Sequence, residues 1–72
     1  MKLIVNGKEE TINREEITVV ELLKEMNVKM PDMVSVQLNR DILLRKNYDS
    51  IYMNENDEVN FLYFMGGGEF IR

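Results

Sequence analysis

The chain has 72 residues, enough for one small domain, and its apolar fraction of 44% is typical of a globular protein. It contains no cysteine and no histidine, which excludes disulfides and thiol chemistry and removes the commonest metal ligand and general base. The formal net charge of −4 disfavours nucleic acid as a partner, and no apolar run approaches the ~20 residues of a membrane-spanning helix.

The N-terminal segment predicts a β-hairpin. The apolar run Leu3-Ile4-Val5 is followed by Asn6-Gly7, a pair typical of a type I′ turn, in which both central residues need a positive φ. The returning segment, residues 8–12, is charged, which favours an edge strand. The apolar run is too short for a signal peptide, so we expect a cytoplasmic location.

A short amphipathic helix is predicted next, from Val19 to about Met26. Thr18 and Glu21 have the spacing of a capping box, in which each residue accepts a hydrogen bond from the backbone of the other. The spacing i, i+3, i+4, i+7 places four apolar residues on one face of this helix: Val19, Leu22, Leu23 and Met26.

Further strands are predicted after Pro31. Residues 34–38 alternate between apolar and polar with a period of two, which indicates a strand with one buried face. Residues 42–44 fit a short strand, and the last strand runs from Glu58 to about Met65. In the irregular segment before it, four side chains are expected to anchor in the core: Tyr48, Ile51, Tyr52 and Met53.

The predicted order β-β-α-β-β-β indicates an α+β domain. One main helix should pack across one face of a mixed sheet of four or five strands. Because the first and last strands are both strongly apolar, we expect both to be central and to pair in parallel. We expect this domain to span residues 1–65, with residues 66–72 as a flexible glycine-rich tail.

Three consecutive glycines, Gly66, Gly67 and Gly68, follow the most apolar strand. Considered alone, such a run is most simply explained as a turn. Only Glu69 to Arg72 follow it in this sequence, however, and we interpret these as too few for another element of secondary structure. This position favours a functional tail.

The order and spacing of several segments resemble the ThiS/MoaD family of sulfur-carrier proteins, and more closely ThiS. The matching segments are residues 3–8, 17–23, 34–41, 57–59 and 64–68. Proteins of this family have the ubiquitin-like β-grasp fold and are not enzymes. The resemblance covers residues 1–68.

The resemblance implies that the chain carries sulfur on the carboxylate of Gly68. In the family, an E1-like enzyme adenylates this carboxylate with ATP, and a sulfur donor converts it to a thiocarboxylate that thiazole synthase uses in thiamin biosynthesis. Gly66 and Gly67 would thread the tail into the activating enzyme, because residues without a Cβ are thin and conformationally free. The carrier itself would hold no catalytic residue, no metal and no bound cofactor.

One departure from the family pattern concerns Glu69, which follows Gly68 and leaves the Gly68 carbonyl as an amide. Some family members carry a few extra residues that a peptidase removes, so the resemblance implies a peptidase that removes residues 69–72 here. Two alternatives stay open: a carrier for cysteine, homocysteine or metal-cofactor biosynthesis, and an uncharged ubiquitin-like binding module. An enzyme is disfavoured, since the sequence offers no convincing pair of catalytic groups.

Leu62 and Phe64 lie on the face of the last predicted strand opposite to that of Val59 and Phe61. They form either a second buried face or an exposed docking patch. Because they stand directly before the glycines, we interpret Leu62 and Phe64, together with Met65, as residues that dock onto a partner.

Overall fold

A computed structural model describes the backbone of residues 1–65 and 69–71, and the side chains of residues 1–63. Its elements follow in this order: β1 (Lys2–Val5), β2 (Lys8–Thr11), α1 (Val19–Glu25), a 3₁₀ helix (Pro31–Met33), β3 (Val34–Leu38), β4 (Asp41–Ile42), a second 3₁₀ helix (Arg45–Asn47), β5 (Glu58–Met65) and β6 (Glu69–Ile71). No helix in this described part of the chain is long and apolar enough to cross a membrane.

The strands form one mixed sheet in the order β2-β1-β5-β3-β4, and β6 pairs in addition with β5. β1 and β5 are parallel neighbours, with Ile4 opposite Glu58 and Val5 opposite Val59. β3 pairs antiparallel with the other edge of β5. The predicted α+β fold with a central parallel pair is therefore confirmed.

The β1–β2 hairpin has the turn that its sequence predicts. Asn6 and Gly7 have φ values of 53° and 81°, the positive values that a type I′ turn requires. Val5 and Lys8 are register partners on either side of the turn. β2 lies at the edge of the sheet, as its charged residues predict.

Helix α1 begins at the predicted capping box. The Glu21 N–H donates to Thr18 Oγ1 at 3.2 Å, and the Thr18 N–H donates to Glu21 Oε1 at 2.9 Å. The pKa of the Glu21 carboxyl is lowered, chiefly by this second hydrogen bond and next by the hydrogen bond that the Arg14 guanidinium donates to it. The helix ends at Glu25 with Met26 as its C-cap, one residue earlier than predicted.

One hydrophobic core joins the apolar face of α1 to the inner face of the sheet. Its members from the helix and from β1, β3 and β5 are Val19, Leu22, Leu23, Leu3, Val5, Val34, Val36, Val59 and Phe61. The connecting segments add Ile12, Ile17, Tyr48 and Met53. Met26, predicted on the same helix face, is only partly buried against this core. The helix and the two central strands thus depend on one another for burial of their apolar surface.

The segment before β5 differs from the prediction at one of its four anchors. Tyr48 and Met53 are buried, and Ile51 is partly buried. Tyr52 is 55% exposed, so the prediction that it anchors in the core is wrong. Tyr52 forms a β-bridge with Thr18, and extended backbone turns neighbouring side chains to opposite sides, so burying Met53 exposes Tyr52.

Replacing Thr18 by alanine should lower the free energy of unfolding by about 1 kcal/mol, because the Glu21 N–H loses its acceptor. Thr18→Ser keeps the hydroxyl and is the matched control, expected to stay close to the parent. Urea denaturation of the three proteins measures the difference. Equal stability of Thr18→Ala and the parent would contradict the role of the capping box.

Candidate functional site

The candidate site is the C-terminal half of β5 and the glycine segment that follows it. β5 ends at Met65, directly before Gly66. The three glycines lie outside the described residues, so the predicted sulfur attachment at Gly68 and the threading role of Gly66 and Gly67 stay predictions. The structure does describe the strand that carries them.

β5 is paired along both of its edges, but over different lengths. On one edge β3 accompanies it from Leu38, opposite Val59, to Val34, opposite Tyr63. On the other edge β1 ends at Val5, which lies opposite Val59. β5 therefore runs on well past the end of β1.

Asn6 covers the first position at which β5 has lost β1 as its neighbour. Its side-chain Oδ1 accepts a hydrogen bond of 2.8 Å from the Phe61 N–H. Its own N–H donates to the Val59 carbonyl at 2.9 Å. A turn residue thus satisfies one further backbone N–H of β5 beyond the end of β1. The sequence did not predict this role, because no local pattern links residues 55 positions apart.

The alternating direction of the backbone N–H and C=O groups shows which groups β5 directs toward its open edge beyond Asn6. Along a paired strand, successive residues direct their N–H and C=O groups toward opposite edges. The Phe61 N–H points toward the β1 side. The backbone groups of Tyr63 and Met65 therefore face the same side, past the end of β1.

β6 occupies this part of the edge. It pairs antiparallel with β5, with Tyr63 opposite Ile71 and Met65 opposite Glu69. Our interpretation that the residues after the glycines are too few for another element is thus wrong for Glu69–Ile71. Three residues suffice here because β5 already offers a preformed partner. The predicted flexibility of the tail stays a prediction.

The side chains of β5 alternate between the two faces of the sheet. Val59 and Phe61 are 0% and 2% exposed on the core side, and Tyr63 is partly buried against the same core. Leu62 lies on the opposite face, where its register partner is Ser35, and it is half-buried. Leu62 is therefore outside the main core, on the face where both sequence interpretations place it.

The side chains of Phe64 and Met65 lie outside the described residues, so the docking role of Leu62, Phe64 and Met65 stays a prediction. On the outer face next to Leu62, the Asn60 Nδ2 donates to Gln37 Oε1 at 3.0 Å. This pair gives the outer face a partly buried polar contact.

Three apolar side chains are exposed at the β3–β4 end of the sheet. They are Met33, Ile42 and Leu44, with exposed fractions of 46%, 58% and 61%. The sequence predicts a short strand over residues 42–44 but not which of its side chains are exposed. Leu43 packs against the core, and alternation along extended backbone turns Ile42 and Leu44 outward.

No group of three or more acidic, histidine or cysteine side chains that could bind a metal ion occurs within residues 1–63 and the other described positions. A mixed sheet with a central parallel pair and one helix packed across one face is the arrangement of a ubiquitin-like β-grasp protein.

Comparison with known proteins identifies the family of this chain. The profile of the ThiS family matches residues 2–68, and the chain belongs to this family of small sulfur-carrier proteins, which are not enzymes. A crystal structure of the thiamine biosynthesis protein ThiS from Geobacter metallireducens is similar, with a TM-score of 0.88 and 43% identity over 94% of this chain and 100% of that chain. A solution structure of a thiamine biosynthesis protein from the same organism has a TM-score of 0.77 and 41% identity, over 100% and 94% of the two chains.

Two curated relatives are longer proteins named thiazole synthase. The one from Paramagnetospirillum magneticum is 34% identical over 68 residues, which is 94% of this chain. The one from Magnetococcus marinus is 32% identical over 69 residues, which is 96% of this chain. The matched segments make up 20% and 21% of these proteins, so this chain spans about a fifth of their length.

Replacing Asn6 by glycine should lower the free energy of unfolding by about 1–2 kcal/mol, because the Phe61 N–H loses its acceptor. Glycine suits the positive φ of this position, so backbone strain does not contribute to the loss. Asn6→Asp keeps the acceptor oxygen and tolerates the same backbone, and is the matched control expected to stay near the parent. Denaturant titrations test this, and Asn6→Gly as stable as Asn6→Asp would contradict it.

Proposed function

We propose that this chain carries sulfur for thiamin biosynthesis as a thiocarboxylate on Gly68. The observation that carries the proposal is where the family match ends. It extends from residue 2 to residue 68, so its last position is the last glycine of the run. The central strand β5 leads directly into that run.

The chemistry uses only the backbone of the chain. A peptidase hydrolyses the bond between Gly68 and Glu69, which adds water and frees a carboxylate and an amine. The carboxylate attacks the α-phosphate of ATP in an E1-like enzyme, and pyrophosphate leaves. A sulfur donor at the oxidation level of sulfide then attacks the carbonyl carbon, AMP leaves, and a thiocarboxylate remains.

The composition of the tail suits this use. Residues 66–68 have no Cβ, so they can enter a narrow channel and adopt backbone angles closed to other residues. The folded domain of residues 1–65 would stay outside the partner while the tail reaches the reacting atoms. In this arrangement the chain is a co-substrate and binds no cofactor of its own.

The proposed partners are an E1-like adenylating enzyme, a processing peptidase and a thiazole synthase. The thiazole synthase is supported by the two longer relatives of that name, in which a segment similar to this chain is part of the same polypeptide. Covalent linkage raises the effective concentration of two parts that act together. Sulfur transfer to a thiazole synthase is therefore the route that we favour.

To test this proposal, two versions of the chain are incubated with the activating enzyme, ATP and sulfide. The version that ends at Gly68 should gain the mass difference between sulfur and oxygen, and the version that ends at Arg72 should not, because its Gly68 carbonyl is an amide. Intact mass spectrometry measures both. A Gly68-ending chain with a C-terminal amide is the matched control, since it lacks only the carboxylate.

Two results would contradict the proposal. Equal charging of both versions would mean that the terminal residue need not be Gly68 and that processing is unnecessary. Charging of neither version would remove the sulfur-carrier role and favour the ubiquitin-like binding module.

We further propose that Leu62, Phe64 and Met65 dock onto the activating enzyme. Leu62→Ala should weaken this binding about tenfold with little loss of stability, because its half-buried side chain lies on the outer face. Phe61→Ala is the control on the opposite face and should cost about 3–5 kcal/mol of unfolding free energy. Calorimetric binding and denaturation measure the two effects. A large stability loss in Leu62→Ala with unchanged binding would eliminate the docking role.

A further inference from the structure

We propose that Glu69–Ile71 form a blocking strand, which covers the free edge of β5 and keeps the uncleaved chain from its activating enzyme. The inference rests on the proposed function, because it assigns a role to the extension before its removal. The supporting observation is the position of β6 in the sheet. β5 extends past the end of β1, and Glu69–Ile71 pair with β5 where β1 no longer does.

The edge in question is open because of the length of β1. β1 stops at Val5 and the chain turns back at Asn6-Gly7, whereas β5 continues to Met65. Asn6 satisfies the N–H of Phe61 and reaches no further along the edge in the described hydrogen bonds. The backbone groups of the next two edge-facing residues are then available to a strand, and such unpaired edges readily bind one.

The occupant of this edge is the chain itself. Glu69 and Ile71 are the register partners of Met65 and Tyr63. Since alternate residues face opposite edges, these two direct their backbone groups toward β5, and Phe70 between them directs its own away from it.

This pairing opposes the extended tail that activation requires. Glu69 lies opposite Met65, so the residues on either side of the glycine segment are neighbours in the sheet instead of being far apart along an extended chain. The same pairing prevents a partner from adding a strand to this edge. A strand of three residues opens easily, which gives a peptidase access to the bond after Gly68.

Alternation along β6 provides a matched pair of full-length variants. Proline lacks an N–H, so Ile71→Pro removes a donor that faces β5. Phe70→Pro removes a donor that faces away, a position where proline is tolerated at a sheet edge. The two variants differ by one position: Ile71→Pro should disrupt the pairing with β5, and Phe70→Pro should leave it intact.

Amide hydrogen exchange, measured by NMR on the full-length proteins, is the first readout. The Tyr63 and Met65 amides should exchange about tenfold faster in Ile71→Pro than in the parent, because each loses a strand partner. In Phe70→Pro they should exchange at nearly the parent rate. The Leu62 amide faces β3 and should stay protected in all three proteins, which makes it an internal control.

Binding to the activating enzyme, in the absence of peptidase, is the second readout. Ile71→Pro should bind about tenfold more tightly than the parent and Phe70→Pro, because its edge and tail are released. None of the three should acquire a thiocarboxylate on Gly68, since the bond to Glu69 is intact. Docking and charging are thereby separated.

Equal exchange of the Tyr63 and Met65 amides in Ile71→Pro and the parent would overturn the blocking strand. Equal affinity of these two proteins for the enzyme would overturn it as well. The proposed function fails by a different result, namely when a chain ending at Gly68 is not charged. That result leaves the exchange rates unaffected, so the two failures are distinguishable.

Discussion

The parallel pairing of β1 with β5 is the constraint on which the rest of this structure depends. Val5 lies opposite Val59, so segments from the two ends of the chain form the centre of the sheet. Parallel neighbours cannot be joined by a tight turn and need a long crossover. The intervening chain supplies α1, whose apolar face completes the core that both strands share.

The unequal lengths of these two strands create the candidate site. β5 extends past the end of β1, while β3 still pairs with its other edge as far as Tyr63. The glycine segment follows β5 directly in the sequence. In the proposed function the reacting atom belongs to the backbone, so the chemistry would require nothing from the side chains of the domain. A chain without cysteine or histidine is compatible with that proposal. The same free edge explains why the residues after the glycines can fold back as β6.

Much of this fold could be predicted because its signals are local. The Asn6-Gly7 turn and the capping box at Thr18 are each specified by neighbouring residues, and the structure confirms both. The order of such segments also carried the resemblance to the ThiS/MoaD family. Prediction failed where distant parts of the chain decide the outcome. Tyr52 is turned outward by its bridge to the start of the helix, and the contact of Asn6 with Phe61 joins opposite ends of the sequence. β6 pairs with a part of β5 that lies beyond the end of β1.

The central claim is that this chain acts as a carrier with sulfur on Gly68. The most direct measurement is the intact mass of the protein purified from its native cells, before and after treatment with a thiol-reactive alkylating reagent. The account predicts a polypeptide ending at Gly68, part of it heavier by the difference between sulfur and oxygen and alkylated only at its C-terminus. Because the chain has no cysteine, alkylation there reports the thiocarboxylate without background from side-chain thiols. A protein that retains Glu69 and the residues after it, and that carries no sulfur at its terminus, would contradict the account.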